Sequence, residues 1–286
     1  MNEKVPRTRI VVALGAGLVI IAVYVTFLRW QGAGYVVNTD ALLAGFLVGM
    51  LAQFVDGALG MAYGVTASTF LLSTGASPAV ATAAVHMAEI FTTGASGLSH
   101  WRLGNIDRNL FRRLVVPGII GAIVGVYIVT GLDGAVVKPY IGTYLAVVGA
   151  YLIVRAVWRV HVDVNMKWGT PIVGFVGAFV DTIGGGGWGP VVTTTLLGTG
   201  HEPKEVIGSV NAAEFFVTVV SGVALAFLVT VQAWETVAGL IAGGMVVAPF
   251  AAYVAGKLPK RILMAVVGCL IIALNYGNIL KVIGLL

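Results

Sequence analysis

Two stretches decide the fold: Phe54-Val-Asp-Gly-Ala-Leu-Gly-Met-Ala-Tyr-Gly64 and Phe179-Val-Asp-Thr-Ile-Gly-Gly-Gly-Gly-Trp-Gly189. They lie 125 residues apart, and the match extends without a gap over 54–97 and 179–222, with 18 identities in 44 positions. Asp56, Gly60, Gly64, Pro78, Glu89, Thr93 and Ser96 recur as Asp181, Gly185, Gly189, Pro203, Glu214, Thr218 and Ser221. Biased composition raises chance identity at Gly and Ala, but not easily at paired Asp, Glu and Pro. The chain reads as an internal duplication. Its halves are about 41–160 and 169–286, joined by the polar stretch Arg159–Lys167.

The surrounding composition belongs to a membrane protein. Of 286 residues, 58% are hydrophobic and 10% charged, where a soluble domain carries roughly 25% charged residues. The 39 glycines suit helices that approach closely in a bilayer. The net charge of +5 is spread over short loops, which argues against nucleic acid as a partner. Cys269 stands alone, so there is neither an intrachain disulfide nor a cysteine metal site. A single all-α membrane domain over 1–286 is expected.

Each half repeats one plan. An apolar segment (41–55; 170–180) meets a Gly-rich break (56–64; 181–189), and a short apolar segment follows (65–74; 190–199). After a proline turn come three stretches long enough to span, at about 79–99, 114–132 and 138–158, then 205–229, 236–256 and 262–284. The apolar run 10–28, behind Lys4, Arg7 and Arg9, reads as an extra N-terminal transmembrane helix. A cleaved signal peptide is the alternative, but the apolar run is long for one.

Positive charge sets the topology. If each broken pair is a re-entrant hairpin and the N-terminus is cytoplasmic, 14 of the 17 Lys and Arg fall inside. If each pair crosses once, eight fall inside and nine outside. The hairpin arrangement gives three full crossings per half. An odd number inverts one half relative to the other, and the extra N-terminal helix brings the full crossings to seven, which puts the C-terminus outside. Inverted repeats with broken helices are a recurring plan of secondary transporters, with substrate near the midplane.

Irregular backbone at membrane depth is tolerated where it lines a cavity. A helix starting after Gly64 or Gly189 presents free N–H groups and a positive dipole end, a ready anion site. Gly60, Gly64, Gly185, Gly186, Gly187 and Gly189 are candidate substrate contacts, with Ser68, Thr69, Thr193 and Thr194 as hydroxyl donors. Tyr63 and Trp188 correspond across the repeat and either close a pore or pack. The bland reading is that the glycines serve packing alone. A nucleotide-binding loop is disfavoured, because no strand precedes either break and no P-loop Lys follows. No cofactor is expected.

A polar stripe marks the next helix of each half. His86, Glu89, Thr93 and Ser96 share one helical face, as do Asn211, Glu214, Thr218 and Ser221. His86 and Asn211 are candidate substrate contacts, and Asp56, Asp181, Glu89 and Glu214 are candidate coupling or gating groups. Their structural alternatives are bracing the breaks and, for the aspartates, capping loop N–H groups. An unneutralised carboxylate repels an anion, so some of these acids must be protonated or paired. His100 and Arg102 end the first stripe helix and can draw anions inward. The four histidines make no metal-ligand cluster by spacing, and no nucleophilic triad is apparent. An intramembrane enzyme using His86 and Glu89 is the less economical reading.

At these residues the chain resembles the sulfite exporter TauE/SafE family. The resemblance rests on the two quoted breaks, on Val85-His-Met-Ala-Glu-Ile90, on Gly208-Ser-Val-Asn-Ala-Ala-Glu-Phe-Phe216 and on the Gly-Gly…Ala-Pro pattern at 243–249. It covers nearly everything after residue 40. It implies a multipass plasma-membrane permease that exports sulfite, organosulfonates or related small sulfur-containing anions. The first break departs from the family pattern, with Leu59, Met61 and Ala62 where the second has glycines. A carrier of another small anion, such as a carboxylate, and a passive anion channel are the alternatives. The oligomeric state is not legible.

Overall fold

A computed structural model describes residues 38–59, 61–158, 169–197, 202–231, 234–255 and 260–285. The expected helix at 10–28, the joining stretch Arg159–Lys167 and Gly60 lie outside the described residues. Among the described residues every regular element is a helix. The order is α1 (Thr39–Leu59), α2 (Tyr63–Ser73), α3 (Pro78–Arg102), α4 (Arg108–Gly131), α5 (Gly134–Val157) and α6 (Thr170–Gly184). A π-helical turn (Gly189–Thr193) then runs into α7 (Thr194–Leu197), followed by α8 (Pro203–Leu228), α9 (Trp234–Ala255) and α10 (Lys260–Val282).

Local chemistry explains most boundaries. Asn38 Oδ1 accepts from the N–H of Ala41 at 3.0 Å and opens α1. Asp107 accepts from Asn109 and Leu110 to open α4, and Asp133 accepts from Ala135 to open α5. Pro78 and Pro203, the turn prolines of the repeat, stand first in α3 and α8, where the missing N–H costs nothing. Among the described residues, five helices (α1, α4, α5, α8 and α10) are long and apolar enough to cross a membrane. The 25-residue α3 is absent from that set, in keeping with the polar stripe it carries.

The breaks are narrower than the sequence reading. Helix α1 continues to Leu59 and α6 to Gly184, so Asp56 and Asp181 stand near the helix ends instead of heading the loops. What stops α6 is Gly185, whose φ of 64° is left-handed and ends the helix as a glycine C-cap. Before α2 the left-handed position is Ala62, with φ of 90°. The expectation that both segments flanking a break are too short to span holds for the 15-residue α6. It fails for α1, which has 21 residues.

Glycine seams hold the bundle. The most extensive packing joins α1 to α9, α5 to α10, α4 to α6 and α3 to α8. Along α1–α9, a Cβ added at Gly45 or Gly49 meets the backbone of Thr236 or Leu240, with Cα atoms at 2.9 and 2.8 Å. Gly239 and Gly243 face the backbone of α1 in return. Small residues four apart on both partners let main chains touch, as lipid-embedded helices require. Large side chains such as Tyr127, Tyr140, Phe227 and Ile172 point outward from the bundle. Trp101, Trp158 and Trp234 lie at helix ends and are exposed, matching an interfacial aromatic belt.

Candidate functional site

The two breaks meet. A cavity between them is lined by Asp56, Met61, Ala62, Tyr63, Gly64 and Val65 from the first half, and by Asp181, Gly186, Gly187, Gly189 and Pro190 from the second. Glu89 of α3 and Glu214 of α8 complete the wall. Contact between the loops is backbone to backbone. A Cβ on Gly64 would lie 2.8 Å from Gly185 O and from Gly186 Cα, and one on Gly189 would lie 2.7 Å from Met61 Cβ. The Ser68 hydroxyl donates to Gly185 O, and Thr82 Oγ1 donates to Thr182 O at 2.7 Å. The Tyr144 hydroxyl donates to Gly186 O at 3.1 Å.

Most sequence-expected residues reach this place, though several do so as supports. The aspartates cap the loops. Asp181 Oδ1 accepts from the N–H groups of Gly187 (2.7 Å) and Trp188 (3.1 Å). Asp56 accepts from the N–H of Tyr63, the residue equivalent to Trp188. Donors that the sequence offered to an anion are therefore taken by the chain's own carboxylates. Gly64, Val65 and Gly189 keep N–H groups with no acceptor among the described residues.

Other candidates are committed to packing or to hydrogen bonds within the protein. Trp188 is fully buried and its indole N–H donates to Val210 O at 3.3 Å, so it packs. Tyr63 lines the cavity while its hydroxyl donates to Leu240 O. Thr69 accepts from Asn275 Nδ2 at 3.3 Å, tying α2 to α10. Thr193 is buried, and Asn211 donates to Ile207 O one turn back on its own helix. Gly60 lies outside the described residues. His86, fully buried, faces Asp181 with Nε2 3.3 Å from Oδ2.

The stripes face each other because α3 and α8 run antiparallel. Gly97 lies against Ala212, Gly94 against Phe215, and Gly222 against His86 and Ile90. Glu89 and Asp181 are buried, while Glu214 and Asp56 are partly so.

One cation was missed as a site residue. Arg155 on α5 donates from Nη1 to Thr194 Oγ1 at 3.2 Å and contacts Met61 Sδ at 3.8 Å. It thus bridges the first break and the segment following the second. It has no carboxylate within ion-pair distance among the described residues. The signal was present in the sequence: a basic residue inside the apolar stretch 138–158, read only as a topology marker. Spacing along the chain also hid that His86, Glu89 and Asp181 come together, with one ligand atom from each lying within 4.8 Å of the others.

The profile described as "Sulfite exporter TauE/SafE" matches residues 44–276, a span that takes in both breaks and both stripes. The chain belongs to the sulfite exporter TauE/SafE family. This TauE/SafE chain is similar to the "Probable membrane transporter protein YtnM" of Bacillus subtilis (strain 168). The two are 41% identical over 246 residues, which cover 82% of this chain and 81% of that protein. No solved structure matches the chain. With the family and its apolar helices together, the chain is a helical membrane protein of a transporter family.

Proposed function

We propose that the chain is a plasma-membrane permease that exports a small sulfur-containing anion, such as sulfite or an organosulfonate, by alternating access between two inverted halves (41–160 and 169–286). The N-terminus is cytoplasmic, the C-terminus external, and each half is a broken re-entrant pair plus three crossings. One observation carries the reading. Both breaks deliver backbone into one cavity at the contact between the halves, with a glutamate from each half on its wall. An anion there meets the N–H groups of Gly64, Val65 and Gly189, and the Arg155 guanidinium, behind the lining residue Met61, supplies formal positive charge.

Two features support the inversion. Packing partners exchange consistently under the 125-residue offset: α1 on α9 corresponds to α6 on α4. Gly49 meets the backbone of Leu240, and its equivalent Gly174 meets that of Leu114. The equivalent helices α3 and α8 run antiparallel, as a two-fold axis in the membrane plane requires.

An inside-negative potential favours anion exit by about 2.3 kcal/mol per charge per 100 mV. Export then needs no coupled ion, and Glu89 or Glu214 is the carrier if a proton is coupled. The test is uptake of labelled sulfite into liposomes holding the purified protein. Saturable uptake, inhibited by sulfonates and abolished by Gly187→Leu, is expected; a leucine there would collide with Tyr144 and the Asp181 backbone. No uptake by folded protein above empty liposomes removes sulfite, and uptake of a labelled carboxylate would then identify the other anion class. Flux that never saturates would identify a channel.

A further inference from the structure

The structure assigns a metal site to His86, Glu89 and Asp181, built for a divalent transition-metal ion of which Zn2+ is the test case. Three buried atoms point to it. His86 Nε2, Glu89 Oε2 and Asp181 Oδ2 are all without a hydrogen-bond partner, in side chains at most 3% exposed. Buried polar atoms of this kind require a partner, and the three residues that carry them bring one ligand atom each to within 4.8 Å of the others.

The tautomer of His86 decides the charge of that partner. Its Nδ1 lies 2.8 Å from the carbonyl of Thr82, which only accepts. Nδ1 therefore carries the proton, and in the neutral ring Nε2 turns a lone pair toward a carboxylate oxygen. Lone pair facing lone pair is repulsive, so a positive species belongs between them.

Distance separates a metal from a proton. A charge-assisted N–H···O bond is about 2.7–2.9 Å, whereas Nε2 and Oδ2 are 3.3 Å apart and make no hydrogen bond. Zinc bonds of about 2.0–2.1 Å to nitrogen and oxygen in a tetrahedron place neighbouring ligands roughly 3.3–3.4 Å apart, the spacing of the His86–Asp181 pair, with Glu89 within 4.8 Å and drawn in by the ion. The imidazole favours Zn2+ and its neighbours in the first transition row over Mg2+ or Ca2+.

Outer contacts of the expected kind are present. His86 donates its other N–H to a backbone carbonyl, and the same Thr82 donates its hydroxyl to Thr182 O. Asp181 keeps its second oxygen on the N–H groups of Gly187 and Trp188. Three protein ligands leave a fourth position open, and Glu89 and Asp181 place it at the cavity. Two carboxylates and a divalent ion sum to zero charge, which lifts their repulsion of an anion beside them. The site is one-sided: the equivalent of His86 is Asn211.

The test is equilibrium binding, independent of transport. Tag-free protein in detergent, stripped with chelator, is titrated with Zn2+, and Co2+ is added separately for its visible ligand-field bands. One Zn2+ per chain is expected, with intense tetrahedral Co2+ absorption. His86→Gln, Glu89→Gln and Asp181→Asn should each weaken Zn2+ by at least about 100-fold, since losing an outer-shell partner alone costs 10–100-fold. Glu214→Gln should leave the stoichiometry at one. Asp181→Asn keeps an oxygen for the loop N–H groups, and Glu89→Gln keeps the shape, so at least one variant remains folded for comparison. Wild-type protein that binds no Zn2+ or Co2+ above the triple variant overturns the assignment, as does binding unchanged by all three substitutions. Zn2+ binding without sulfite uptake keeps the metal site and removes the proposed substrate.

Discussion

Gly186→Ala tests whether close contact between the breaks is what shapes the cavity. A methyl group at 186 would lie 2.5 Å from the carbonyl carbon of Gly64 and 2.7 Å from Val65 Cα. Carbon atoms pack at about 3.5–4.0 Å, so the two loops must part by roughly 1 Å. Both sides of the contact are backbone, and no side chain can swing away. Overpacking of this kind costs about 1–3 kcal/mol. The matched control is Gly131→Ala near the end of α4, where an added Cβ meets nothing within 4 Å. That change should be neutral or stabilising by up to about 1 kcal/mol. The assay is thermal unfolding in detergent, followed by initial sulfite uptake in liposomes. Gly186→Ala should unfold several degrees below wild type and lose most of its uptake, while Gly131→Ala keeps both. Wild-type stability and uptake in Gly186→Ala would refute the contact between the breaks.

Removing the loop cap by Asp181→Ala leaves the N–H groups of Gly187 and Trp188 unpartnered. About 1–3 kcal/mol for each should show as a larger drop in unfolding temperature than Asp181→Asn gives. Arg155→Ala should raise the half-saturation concentration for anion uptake more than Arg155→Lys does; equal kinetics in Arg155→Ala and wild type would remove Arg155 from the anion's path. Ser68→Ala deletes the hydroxyl bond to Gly185 O and should cost about 1 kcal/mol, read as a modest shift in unfolding temperature. Gly49→Val on the α1–α9 seam forces a side chain into the backbone of Leu240 and should lower the yield of monodisperse protein sharply.

Much of the architecture was legible because the duplication is legible. Paired Asp, Glu and Pro located the breaks, the stripes and the first residues of α3 and α8. Loop edges were less legible, since Asp56 and Asp181 have side chains that favour turns yet here complete a helix. Whether they do so depends on the N–H groups they cap, which come from residues six or seven further on. The role of the glycines divided for a similar reason. Periodicity shows that Gly45, Gly49, Gly239 and Gly243 share faces, but only tertiary contact shows them as seams, with Gly64 and Gly186 as the meeting point of the loops. Arg155 and the His86–Glu89–Asp181 group were hidden because their partners come from the other half of the chain.

That last feature bears on how the protein is made. Met61, Gly64, Ser68 and Thr82 leave the ribosome well before Gly189, Gly186, Gly185 and Thr182, against which they rest. The left-handed Ala62, a conformation costing about 1–2 kcal/mol for a residue with a Cβ, lies beside Gly189 as well. A newly inserted first half therefore lacks the backbone surface against which its break packs. The cavity is a late product of biogenesis, closing only once the second half has entered the bilayer and docked.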